Sequence, residues 1–221
     1  SRAFGLADVA SARAMTVDSV MNIASISKTV TATAVMQLAE AGSISLDDDV
    51  AALVGFPIRN PNHPKDAITP YRLLTHTSSL RDGPAYDDGY ACGDPAVSLG
   101  DWLERYLKVG GDLYDERRNF LSRAPGTTHV YSNTGFALLG LVVERVSGMG
   151  FRAYCGRHIF EPLGMTATGW FLEDIEREDH ATPHAFVDED AGAREPLIAS
   201  GPVGGFAPYC LYSFPTYPDG L

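Results

Sequence analysis

Residues 22–29 read NIASISKT, and the fold assignment turns on them. Ser25 stands three residues before Lys28, in a chain whose other lysines are Lys65 and Lys108 and whose remaining basic residues are arginines. The following KTVTATAV alternates with period two, as a strand would, but AVMQLAEAG then supplies strong helix formers and ends on Gly42, a good closing residue. The balance predicts one helix over residues 25–41, with Ser25 in its first turn. Positions three apart share a helix face, so the Lys28 amine can reach the Ser25 hydroxyl. A serine alcohol is a poor nucleophile until a neighbour takes its proton, and an amine can do so where burial or a nearby cation favours its neutral form. The helix N-terminus adds N–H groups and a dipole that favour a developing oxyanion. Spacing and location both suit acyl transfer, while an ordinary helix with an early Ser and a solvated Lys fits the same letters.

Working outward, VDSVMNIA at residues 17–24 alternates weakly and reads as a strand or extended segment. SLDDDVAAL predicts a short helix after Leu46, and FPIRNPNHPKD is a loop. TPYRLLTHTSSL starts with a Thr cap and Pro at the first helical position, and SLGDWLERYL pairs Ser98 with Asp101 as an approximate capping box. From residue 133 to 147, Phe136, Leu139, Val143 and Val146 fall on one face, and Gly148 stops the helix. Beyond Met165 the pattern reads as irregular loop, rich in Gly, Pro and Tyr.

A second polar cluster precedes that clearest helix. In HVYSNTGFALLG, Tyr131, Ser132 and Asn133 sit where a loop can present side chains from a rigid scaffold. A Tyr phenol or phenolate could shuttle the serine proton, and the Asn amide could hold a substrate carbonyl. A half-buried Tyr and a helix-capping Asn would use the same residues structurally.

The bulk properties narrow the partners. With 221 residues, 45% hydrophobic and 20% charged, the chain suits one large domain or two small ones. A formal charge of −11 repels phosphate backbones and anionic headgroups, so no nucleic-acid or membrane-surface partner is expected. The longest apolar run, GFALLGLVV at residues 135–143, is far short of the roughly 20 residues that span a bilayer, so no membrane insertion is expected. Cys92, Cys155 and Cys210 are scattered without a CxxC pair and read as buried or incidental thiols, with one bridge conceivable in an exported protein. EREDHATPH brings Asp179, His180 and His184 together, but Pro183 separates the histidines, so a solvated loop is favoured over a metal site. The aromatic tail from Phe206 to Tyr217 reads as loop packing in preference to a substrate-facing wall. The opening SRAFGLADVA lacks the layout of a signal peptide.

Taken together, the segments FGLADV, NIASISKTVTATAVMQLAEAGSISLDDDV, ITPYRLLTHTSSL, PGTTHVYSNTGFALLGLVVERVSG and FEPLGMTATGW resemble, in order, the serine β-lactamase and penicillin-binding-protein-like hydrolases, nearest to the class C β-lactamase and esterase branch. FPTYPDGL extends the match. The resemblance implies an α/β sandwich with an inserted helical region, here lacking N- and C-terminal strands of the sheet. It implies a hydrolase domain over 1–221, with 1–45 as sheet edge and nucleophile helix, 46–165 mostly helical and 166–221 returning toward the sheet. It also implies roles: Ser25 as the acylated nucleophile, Lys28 as its proton-accepting or charge-organising partner, Tyr131 as general base or acid, Asn133 as substrate-binding. The Ser25 N–H would form half of an oxyanion hole, and His76 and Ser78 would be scaffold below the site. No cofactor and no metal are implied. The partner would be a small-molecule or peptide substrate such as an ester, amide, D-amino-acid peptide or β-lactam, with the oligomeric state left open. A periplasmic or secreted location is favoured over a cytoplasmic one. The family's third motif, Lys-Thr-Gly or a His/Ser/Gly variant, does not occur, which keeps a second expectation open: a non-catalytic or truncated module that binds peptides or a partner protein.

Overall fold

The computed structural model describes residues 1–89, 91–187, 205–208 and 216–219. They group into two compact units, one holding residues 24–89, 96–165 and 216–219, the other residues 1–23, 91–95, 166–187 and 205–208.

The first unit is helical. A 3-10 turn, Ala24–Ile26, leads into α1, Ser27–Glu40. The helix expected from residue 25 therefore starts with a tighter turn, and Ser25 lies in that turn. The apparent strand alternation of its threonines is absorbed by back-bonding: Thr29 Oγ1 donates to Ile26 O at 2.7 Å and Thr33 Oγ1 to Thr29 O at 2.8 Å. Its buried residues, Lys28, Thr31, Ala34, Val35 and Leu38, follow helical spacing. Short helices come next. In α2, Val50–Val54, the Asp49 side chain accepts from Ala51 N–H and Gly55 closes the end at φ 84°. In α3, Pro70–Leu74, Thr69 caps and Pro70 opens the helix as the sequence indicates. After α4, Pro84–Asp87, comes α5, Leu99–Leu107, where Ser98 Oγ accepts from Asp101 N–H at 3.1 Å and donates to the Asp101 carboxylate at 2.7 Å.

The centre of this unit is α6, Asn133–Ser147, against which α1, α2, α3 and α5 pack. Residues 134–143 are buried all round, so the one-sided stripe expected from Phe136, Leu139 and Val143 describes only part of a fully enclosed helix. Gly148 ends it at φ 70°. Gly140 is required by close approach: a Cβ there would stand 2.4 Å from Pro218, in the 3-10 turn Tyr217–Asp219. Tyr217 itself is 6% exposed and lies 5.9 Å from the Phe151 ring, so it packs on the core. Residues 209–215 of the aromatic tail lie outside the described residues. A last helix, α7, Phe151–Cys155, runs into a π-helical turn, Gly156–Phe160.

The second unit carries the strands. β1, Leu6–Asp8, pairs antiparallel with β2, Arg13–Ala14, and β3, His184–Val187, pairs antiparallel with β4, Gly205–Pro208, from His184↔Pro208 to Val187↔Gly205. The segment beyond Met165 is thus more regular than its composition predicts. The strand expected at residues 17–24 reduces to one parallel bridge, Val20 with His180, because Thr16 and Ser19 close a turn just before it. Asp179 and His180 sit in and after the 3-10 turn Arg177–Asp179, and the His184 ring lies 2.9 Å from Thr182 O, so these side chains do not converge. Cys92 is disulfide-bonded, which corrects the expectation of an incidental thiol; in the helical unit Cys155 is a buried thiol, and Cys210 lies outside the described residues. Helices with short strands are the α/β character that the sequence predicts. Among the described residues no single helix is long and apolar enough to cross a membrane.

Candidate active site

The helical unit brings the four sequence-predicted residues together. Ser25 is exposed, in the 3-10 turn that opens α1, and the residue before it, Ala24, holds φ at 48°. A left-handed alanine is strained by roughly 1 kcal/mol or more, a kind of outlier that concentrates at functional sites. Lys28 comes one turn later and is 6% exposed. Its amine donates to Ser25 Oγ at 3.1 Å and to Asn133 Oδ1 at 2.7 Å. It also lies 4.9 Å from the centroid of the Tyr131 ring and 5.8 Å from that of Phe136, distances at which a ring face attracts a cation. From the other side the Tyr131 hydroxyl donates to Ser25 Oγ at 2.9 Å. Residues more than a hundred positions apart thus meet on one serine oxygen.

The loop before α6 sets this geometry. Its N-cap is Ser132, whose Oγ accepts from Gly135 N–H at 3.0 Å, so Asn133 takes the first helical position instead of capping. That frees its amide for Lys28. Tyr131 stacks obliquely on His76, with centroids 4.5 Å apart, and the His76 ring also meets Phe136 at 5.0 Å and His129 at 5.8 Å. His76 Nδ1 accepts from Ser132 N–H at 3.2 Å, a role open only to the neutral ring. Burial holds this imidazole below the usual histidine range; the charges of His129 and Lys28 act in the same direction, and Asp82 opposes them. Ser78 is 2% exposed and accepts from Leu80 N–H. His76 and Ser78 therefore support the loop, as scaffold residues would.

Sequence reasoning missed Asp82. Its carboxylate accepts from Asn133 N–H and Thr134 N–H, each at 2.9 Å, from Thr134 Oγ1 at 2.8 Å and from Ser132 Oγ at 3.4 Å. A signal was available: the first turn of α6 carries no acidic residue, so the amides at its N-terminus call for an anion from elsewhere in the chain. Nothing in SSLRDGPAY says that this Asp, and not a neighbour, supplies it.

Among the described residues, no group of three His, Cys, Asp or Glu could hold a metal ion. The arrangement offers an exposed hydroxyl with an amine and a phenol on its oxygen.

Comparison with known proteins identifies the family. The family model described as Beta-lactamase matches residues 1–207. Penicillin-binding protein 4* of Bacillus subtilis is 30% identical over 182 residues, which cover 80% of this chain and 37% of that protein. Esterase EstB of Burkholderia gladioli is 33% identical over 235 residues, covering 99% of this chain and 57% of that one. The crystal structure of D-amino acid amidase from Ochrobactrum anthropi complexed with D-phenylalanine superposes with a TM-score of 0.71 at 25% identity, over 98% of this chain and 56% of the other. The chain thus spans roughly two fifths to three fifths of the length of these relatives. A match over nearly its whole length, together with the fold, makes this chain a member of the beta-lactamase family.

Proposed function

We propose that this protein is a serine hydrolase that forms an acyl-enzyme at Ser25. The observation that carries this reading is the convergence of the Tyr131 hydroxyl and the Lys28 amine on Ser25 Oγ, at 2.9 and 3.1 Å. In the proposed reaction Tyr131 first gives up its own proton to solvent; Ser25 Oγ then attacks a carbonyl carbon, and the serine proton passes to the Tyr131 oxygen. Lys28, bonded to Asn133 Oδ1 and set over two ring faces, is the counter-charge. The tetrahedral oxyanion forms beside the N-terminus of α1, where N–H groups favour negative charge. Collapse expels the alcohol or amine, which takes the proton back from Tyr131. Water then attacks the ester on Ser25 by the same route and releases the acid. Asn133 presents its amide to the substrate carbonyl side chain or amide while its oxygen holds Lys28.

The substrate class follows by analogy with the relatives: an ester, an amide, a D-amino-acid peptide or a β-lactam. Intact-mass measurement after incubation with a fluorophosphonate, and separately with a penicillin, tests the reading. A Ser25-dependent adduct supports it. Loss of every adduct from a folded protein points to the second expectation, a binding module.

A further inference from the structure

Asp82 is held in a built seat. The Tyr106 phenol, fully buried on α5, accepts from Gly83 N–H at 2.6 Å and donates to Arg81 O at 3.0 Å, so it grips the backbone on both sides of Asp82. Arg81 N–H donates to Asn119 O at 3.0 Å, and the Asn119 amide is itself anchored on Tyr106 O and Leu113 O, both at 2.9 Å. Gly83 is tight enough that a Cβ would stand 2.7 Å from Asn119 Oδ1, which leaves the loop little room to shift. The carboxylate so placed takes the two amides and two hydroxyls of residues 132–134 described above. Tyr131 is the residue immediately before this clamped stretch, and Asn133 is inside it.

We propose that Asp82 is a positioning residue for the reaction assigned to Ser25, fixing the backbone from Ser132 to Thr134 and thereby the places of the Tyr131 oxygen and the Asn133 amide. The inference rests on the serine-hydrolase reading. Its physical basis is that the two oxygens divide the work: Oδ1 takes Thr134 and Ser132, and Oδ2 takes the Asn133 amide. With Asp82→Asn an NH2 group faces an N–H donor on one side or the other, so the stretch moves by a few tenths of an ångström or more while the side-chain volume is kept. Displacement of reacting groups on the order of 1 Å reduces rate by up to about a hundredfold, without requiring loss of the fold.

The test is the first-order rate constant of fluorophosphonate labelling at Ser25, followed by intact mass at saturating probe, which is independent of the fraction of protein that is folded. Asp82→Asn is compared with Tyr106→Phe, which loosens the seat without touching the carboxylate, and with Leu103→Ala, which destabilises the same unit from the buried side of α5. The expected result is a rate constant lower by about tenfold or more in Asp82→Asn and by a smaller factor in Tyr106→Phe, with the half-saturating probe concentration little changed. Leu103→Ala lowers the unfolding midpoint and leaves the rate constant of the folded fraction at the wild-type value. A wild-type rate constant in Asp82→Asn, or an equal loss in Leu103→Ala at matched stability, overturns the positioning role alone. Failure of the wild-type protein to label at all overturns the serine-hydrolase reading, and this inference with it.

Discussion

Replacing Tyr131 by phenylalanine removes one oxygen and leaves the ring in place. The ring contacts with His76 at 4.5 Å and with the Lys28 amine at 4.9 Å do not involve that oxygen, so the local packing survives. Tyr131 is 48% exposed, and among the described residues its hydroxyl makes one hydrogen bond, to Ser25 Oγ, so the net loss of stability is about 1 kcal/mol or less. The rate effect is of another size. A positioned proton acceptor contributes about 10²- to 10⁴-fold, equivalent to roughly 3 to 5 kcal/mol in the activation barrier. The two figures differ enough to separate a chemical role from a structural one. The assay is the pseudo-first-order labelling of Ser25 by a fluorophosphonate, read by intact mass, with urea unfolding of the same samples to fix the stability change. Tyr131→Phe is expected to fold and to label at least about a hundredfold more slowly. Labelling within about threefold of wild type would refute the assignment of Tyr131 as the proton acceptor and leave Lys28 in that role.

Stability should fall on mild acidification, because burial depresses the His76 and His180 imidazoles relative to the unfolded chain. Their contribution is complete above about pH 6.5 and is lost as pH falls from there through the depressed native values, since the unfolded state then binds protons the native state does not. Melting temperatures measured across that window should drop, and His76→Asn, which suits the left-handed backbone at this position (φ 54°), should make the drop shallower; an unchanged slope would contradict the account of His76. Gly140→Ala should destabilise the helical unit by about 1 to 3 kcal/mol in denaturant unfolding, because the new methyl meets Pro218 ring carbons. A neutral Gly140→Ala would mean that the turn at Tyr217–Asp219 gives way freely.

The parts of this structure legible in the sequence are those governed by local chemistry. Thr69 with Pro70, Ser98 with Asp101, and Gly148 after an apolar run each satisfy helix ends within a few residues, and each appears where the letters put it. The Ser25–Lys28 spacing was readable for the same reason, being a property of one turn. The meeting of Tyr131 and Asn133 with that pair depends on contacts across more than a hundred residues; the polar cluster before α6 marks both residues as candidates, but only the resemblance ties them to Ser25 and Lys28. Where tertiary packing overrides local pattern, the reading failed. The interior of α6 is buried on every side, which a one-sided apolar stripe does not express, and β3 with β4 forms in a segment whose Gly and Pro content predicts loop. Asp82 escaped because a lone acid before Gly-Pro looks like turn chemistry, and the amides it serves lie fifty residues away.

The most direct test of the central claim is the intact mass of the protein after incubation with a fluorophosphonate, with Ser25→Ala alongside. The account predicts a single adduct on the wild-type protein and none on Ser25→Ala. An adduct that persists in Ser25→Ala, or a folded wild-type protein that takes up none, would contradict it.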